Sequence, residues 1–189
     1  MRFRGCVYFL MFVLFYYADA VCAAQTNVFT ADATIEATND LYEGSVMIVS
    51  NCTVLVNGAH TFESFAVLGT GRVSHASCTT ATVYSLEWTI TDTLRIESNA
   101  AIDVTSRGYR TYYTHGNTTN GGATDTSGGS YGGLGYPYET GSANWIYGDF
   151  RNPNEPGSGG AGDRDQGGPG GGLVRITATR IELDGSIAA

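Results

Sequence analysis

The chain has 189 residues, enough for one domain of ordinary size, and carries a formal net charge of −8. Its ten basic residues are all arginine, with no lysine and no basic cluster. That balance excludes nucleic acid and anionic membrane surfaces as partners, because both need Lys and Arg to neutralise phosphate.

The first element is a leader. In MRFRGCVYFLMFVLFYYADAVCAAQ, Arg2 and Arg4 form a positive start and Cys6 to Ala18 is apolar. Ala18-Asp19-Ala20 and Val21-Cys22-Ala23 both fit a small-x-small cleavage site, so residues 1–23 read as a secretory signal peptide. The alternative is an uncleaved anchor, although the apolar run is short of the roughly 20 residues a span needs. Cleavage after Ala23 leaves 17 acidic residues against eight Arg and no later segment apolar enough to cross a bilayer. The product is expected to be secreted or on the cell surface.

From residue 24 to 107 the chain reads as short strands. Val46-x-Ile48, Val54-x-Val56, Phe65-x-Val67, Leu94-x-Ile96 and Ile102-x-Val104 alternate apolar and other residues. Turn formers separate them: Asn57-Gly58, Gly69-Thr70-Gly71 and Ser98-Asn99. TLRIESNAAIDV (Thr93–Val104), TRIELDGSIAA (Thr179–Ala189) and FAVLGTGRVSHA (Phe65–Ala76) share one template: alternation, a turn, then another apolar residue. Such repetition points to an all-β chain, a short right-handed parallel β-helix whose coils stack on themselves. The alternative is an antiparallel β-sandwich, which alternation alone does not distinguish.

With Cys6 and Cys22 in the leader, Cys52 and Cys78 remain. In an oxidising compartment they read as one disulfide closing a 26-residue separation, worth roughly 3 kcal/mol on the chain-entropy model; the alternative is two buried thiols. His60, His75 and His115 lack ligand spacing and read as exposed loop histidines. Asn51 and Asn117 begin N-x-[ST] sequons and are candidate glycosylation sites.

Residues 108–172 change character, holding 20 of the 26 glycines and all four prolines. Apolar alternation stops at Val104 and resumes at Leu173, so the block reads as an insertion between coils, with residues 173–189 forming a final coil. Its many aromatics argue for a compact loop rather than a flexible linker. Tyr131, Tyr136, Tyr138, Trp145 and Tyr147 are the candidate binding residues, since such rings offer contact area to sugars or proteins.

The stretch from GGSYGGLG (Gly128–Gly135) through Tyr147-Gly148, Pro153 or Pro156, GSGG (Gly157–Gly160), GGG into Val174-Arg175-Ile176, and DGSIA (Asp184–Ala188) resembles a glycine-rich module of large secreted and surface β-helix proteins, both plant glycine-rich and bacterial adhesin-like. The likeness covers about Leu94 to Ala189. It implies a non-catalytic structural or adhesive extracellular module, with carbohydrate or an extracellular protein as partner. In such proteins the final turn usually continues into another coil, so a piece of a larger surface protein is expected. The family supplies no catalytic residues.

Three further motifs carry chemistry. Gly128-Gly129-Ser130-Tyr131-Gly132 fits G-x-S-x-G, but a nucleophile elbow needs a strand before and a helix after, and neither is indicated; Ser130 reads as a turn residue. GGAGDRDQGG (Gly159–Gly168) is similar to one calcium-binding β-roll turn, with Arg164 where the repeat has Asp. Asp163 and Asp165, with Asp149, are the calcium candidates against the alternative of a solvated acidic loop; no other cofactor is expected. For a carbohydrate-active enzyme, the other reading of a β-helix, Glu97, Asp103, Glu182 and Asp184 are the candidate carboxylates, though no diagnostic spacing pairs them.

Overall fold

The computed structural model describes residues 24–162 and 167–189. The leader, with Cys6 and Cys22, and the calcium candidates Asp163 and Asp165 lie outside the described residues.

The described residues hold eleven strands: β1 Thr26–Phe29, β2 Ala33–Ile35, β3 Val46–Ser50, β4 Thr53–Val56, β5 Gly58–Phe62, β6 Ser64–Leu68, β7 Arg72–Ser74, β8 Leu86–Ile96, β9 Ala101–Asp103, β10 Val174–Leu183 and β11 Ser186–Ala188. A 3-10 turn, Asp40–Tyr42, is capped by Asn39, whose side chain accepts from Leu41 N. The strands form two sheets, one ordered β1-β3-β6-β8-β10 with β5 also on β8, the other β11-β9-β7-β4-β2. Every pairing between these strands is parallel, so the antiparallel sandwich is set aside. Along the chain, successive strands step from one sheet to the other, with β5 and β6 both on the larger one.

Parallel pairing in register stacks like on like. Val49 pairs with Val67, Val67 with Ile96, and Ile96 with Leu183. In the second sheet Val54 pairs with Val73, Val73 with Ile102, and Ile102 with Ile187. The inward members from both sheets form one apolar cluster, including Val54, Phe65, Val67, Leu94, Ile96 and Ile102. At its centre the Phe65 and Trp88 rings stack at 4.4 Å, and Phe62 meets Trp88 edge-on at 5.5 Å.

Turn side chains reach across to the neighbouring segment. Asn57 is buried; its Nδ2 donates to Glu36 Oε2 at 3.0 Å and its Oδ1 accepts from Ala76 N at 2.8 Å. Glu97 Oε2 accepts from Gly69 N at 2.8 Å. These bonds satisfy loop amides that no ladder reaches.

Three sequence expectations are corrected here. Cys52 and Cys78 form no disulfide: both are free and buried. Each thiol faces its own neighbour, Cys52 Sγ donating to Phe29 O at 3.4 Å and Cys78 Sγ to Tyr84 O at 3.7 Å, and burial raises the Cys78 pKa. Second, only His115 is exposed. His60 lies inside β5 with Nδ1 2.6 Å from Glu43 Oε1, and His75 is fully buried. Third, in β3 the inward residues are Met47 and Val49, not Val46 and Ile48.

Between β9 and β10 the described residues hold no strand, only one isolated bridge, Thr114 to Thr118. Backbone hydrogen bonds tie the glycine segments together instead. Gly108 N donates to Gly170 O, Tyr109 N to Gly157 O, Gly157 N to Gly171 O, Gly159 N to Tyr113 O and Gly170 N to Tyr109 O. The segments approach so closely that a Cβ on Gly170 would overlap the carbonyl of Gly157, and one on Gly108 the carbonyl of Gly171.

Candidate functional site

The glycine-rich block presents a cluster of rings centred on Tyr147. Ring centroids of Tyr131, His115 and Trp145 lie 5.2, 5.4 and 5.8 Å from it, and Tyr109 lies at 6.5 Å. His115 also meets Trp145 edge-on at 5.5 Å. Tyr147 is fixed at its far end, its hydroxyl donating to Pro156 O at 2.7 Å and accepting from Ser158 Oγ at 3.1 Å. Close approach again needs glycine: a Cβ on Gly148 would overlap the Tyr131 ring.

Trp145 and His115 are the exposed members, with 54% of the Trp145 surface open to solvent. The position of Trp145 is set by the residue before it. Asn144 is buried; its Oδ1 accepts from Ser130 N at 2.6 Å and its Nδ2 donates to Ser130 O at 3.2 Å and Trp145 O at 2.9 Å. Ser130 Oγ donates to Asn144 O at 2.5 Å and accepts from Gly135 N at 2.9 Å. Both hydroxyl roles are thus taken by backbone, and Ser130 with Asn144 clamps two turns of the block.

Beside the rings is a cavity of about 400 Å³, lined by Tyr109, His115, Asn117, Asn154, Glu155 and, from β8, Glu87. Glu155 is its polar centre. Its Oε2 accepts from Tyr109 OH at 3.0 Å and lies 2.6 Å from His115 Nδ1. Burial, followed by the Glu155 charge, holds the Tyr109 hydroxyl well above the usual tyrosine range. Burial also raises Tyr147, with the Ser158 hydrogen bond opposing and the Glu155 charge assisting. Both phenols therefore remain protonated donors at any physiological pH. Asn117 Oδ1, on the cavity wall, is buried without a partner.

The Tyr109 and His115 rings, the Glu87 and Glu155 carboxylates and the Asn117 and Asn154 amides around a cavity of this size can hold a sugar, with rings against C–H faces and polar groups on hydroxyls. Of the five aromatics singled out from the sequence, Tyr131, Trp145 and Tyr147 come together. Tyr136 and Tyr138 do not join them: Tyr136 stands 75% exposed, and Tyr138 lines a separate cavity of about 850 Å³ with Tyr112, Asp125 and Glu139. Sequence reasoning missed Tyr109, His115, Asn144 and Glu155. Glu155 lies 46 residues from Tyr109 and 40 from His115, so no local spacing reveals the convergence.

The remaining sequence candidates are engaged locally. Glu97 Oε1 is 3.0 Å from Arg95 and Glu182 Oε1 is 2.6 Å from Arg180. Asp103 accepts from Thr105 N at 2.9 Å, and that hydrogen bond lowers its pKa. The Asp184 backbone N–H donates to Ile96 O. Asp149 Oδ1 accepts from Arg151 N at 2.8 Å, and among the described residues no group of three or more His, Cys, Asp or Glu could hold a metal ion. At the sequons, Asn51 is exposed and its Oδ1 accepts from Thr70 N at 3.1 Å, while Asn117 Nδ2 donates to Thr79 O at 3.2 Å.

Comparison with protein-family models, with curated proteins and with solved structures finds no match.

Proposed function

We propose that this chain is a non-catalytic extracellular adhesive module, a short parallel β-solenoid whose glycine-rich loop binds a neutral carbohydrate. The observation that carries the reading is the Tyr147-centred ring cluster, in which Trp145 is exposed and its neighbour His115 lines the cavity around Glu155. The solenoid reading is supported by the uniformly parallel pairing and by strands that step between the two sheets. The resemblance of Leu94–Ala189 to glycine-rich surface β-helix proteins and the leader-like residues 1–23 support an extracellular setting, reached by secretion. A site built on carboxylates, in a chain of charge −8, disfavours acidic glycans.

The test is calorimetric titration of the protein with neutral and acidic oligosaccharides. Neutral glycans bind, and Trp145→Ala weakens them by roughly 2- to 13-fold, the loss of an aromatic contact of about 0.5–1.5 kcal/mol. No binding by any neutral glycan, or binding indifferent to Trp145→Ala, would refute it.

One observation favours a second reading, a carbohydrate-active enzyme: Glu87 and Glu155 line the same cavity. In that case the titrated oligosaccharide is shortened, as read by mass, and Glu155→Gln stops the shortening.

A further inference from the structure

Among the described residues, strand β10 has a partner, β8, on one side only. On that side the pairing runs nearly its whole length, with one register shift between Ala178 and Arg180. The other side is a free edge, and its residues include the exposed apolar side chains Ile181 and Leu183. Ile181 and Leu183 stand in register with Leu94 and Ile96. The two β8 residues are fully buried, whereas Ile181 is 52% and Leu183 49% exposed. Two inward positions of the stack are therefore uncovered on this side.

The direction of the backbone groups follows from two hydrogen bonds. Leu173 O accepts from Leu86 N, and Asp184 N donates to Ile96 O, so both residues turn their backbone toward β8. N–H and C=O directions alternate along a strand. Counting back from Asp184, Glu182 and Arg180 also face β8, while Ile181 and Leu183 direct N–H and C=O to the free side.

We propose that this edge is a docking surface for a second copy of the chain, paired antiparallel about a two-fold axis through Ile181. At the axis Ile181 N–H donates to Ile181 O of the other copy, and the reverse, which makes a hydrogen-bonded pair. The next positions form a non-hydrogen-bonded pair, where side chains come closest. There Arg180 of one copy lies opposite Glu182 of the other, twice by symmetry. Within one copy these two charges already sit 2.6 Å apart on the outer face, with the Arg180 side chain 69% exposed. Pairing two copies turns two isolated ion pairs into one alternating four-charge network. On the inner face Ile181 meets its own mate. A two-fold contact of this kind is self-complementary and closes, whereas docking β10 on β1 would extend without limit. β1 carries no charge to match Arg180 and Glu182, and it places Asn27 at the inward register opposite Met47.

Sedimentation of the full chain over a range of concentrations tests this. The expected result is a monomer–dimer equilibrium. Arg180→Glu, which sets like charges opposite each other, weakens the dimer by roughly tenfold, and Arg180→Glu with Glu182→Arg restores it. Ile181→Lys, which keeps both native charges, also gives monomers. Thermal melts of each variant show that the fold is retained. A monomer at every concentration overturns the proposal. So does an open-ended series of oligomers that Arg180→Glu leaves intact and Val28→Asp on β1 abolishes.

Discussion

Replacing Gly170 by alanine tests whether the glycine-rich block is packed structure. The added Cβ would overlap the Gly157 carbonyl, so the two segments must separate. That separation strains the bonds from Gly170 N to Tyr109 O and from Gly108 N to Gly170 O, 2.9 and 2.8 Å long. Overpacking costs about 1–3 kcal/mol and each backbone hydrogen bond contributes about 0.5–1.5 kcal/mol, giving an expected loss of about 2–6 kcal/mol. For a chain of this size each kcal/mol shifts Tm by about 2–4 °C, so the variant melts at least about 4 °C lower. The control is Gly133→Ala. No atom lies within 4 Å of its Cβ position and its φ is not positive, so alanine there leaves Tm unchanged or raises it slightly by restricting the unfolded chain. The assay is thermal melting followed by near-ultraviolet circular dichroism, which reads the Tyr and Trp rings of the block. If both variants melt within about one degree of the parent, the block is not packed through its glycines and the reasoning fails.

Further outcomes are expected elsewhere. Phe65→Ala removes a fully buried ring stacked on Trp88 and costs about 3–5 kcal/mol in urea unfolding; a loss below about 1 kcal/mol would mean that the core is not packed as described. His75 has a pKa lowered chiefly by burial, opposed by its hydrogen bond to Ala76 O, with Arg107 adding to the lowering. The unfolded chain therefore takes up the proton first: stability is full above the ordinary histidine value of 6.5 and is lost as pH falls below it. Urea midpoints drop between about pH 7.5 and 5.5, and His75→Gln makes the drop smaller; an equal drop in both would exclude His75 as a source. Cys52 and Cys78 resist alkylation in the native protein and react in denaturant without reductant; a peptide linking the two under non-reducing digestion would contradict the free thiols.

Much of the strand framework is legible in the sequence, because a parallel stack repeats its inward positions. Val54 and Val56, Phe65 and Val67, Leu94 and Ile96, and Ile102 and Val104 alternate and are buried. The reading slips where the signal is degenerate. Val46–Val49 is apolar throughout, so alternation cannot choose a face, and Met47 and Val49 turn inward. β8 is longer than the short-strand template. It buries Leu86, Trp88, Ile90, Leu94 and Ile96 in one phase, interrupted by exposed Asp92, and β5 pairs with its first half and β6 with its second. β5 itself hides behind Asn57-Gly58, which reads as a turn although Gly58, at φ 85°, opens the strand. At the candidate site composition pointed to aromatics but not to their grouping. Trp145 and Tyr147 are neighbours in sequence, whereas Tyr109, His115 and Glu155 converge only through the glycine contacts that fold the block.

The claim that most needs a direct measurement is that the Tyr147 cluster binds a sugar. Side-chain magnetic resonance of the protein during titration with a neutral oligosaccharide reads it residue by residue. The expected shifts fall on the Trp145 indole, the His115 ring and the Tyr131 and Tyr147 rings, while buried Trp88 stays unmoved as an internal reference. Shifts confined to Tyr136 and Tyr138, or none with any neutral glycan, would contradict the account.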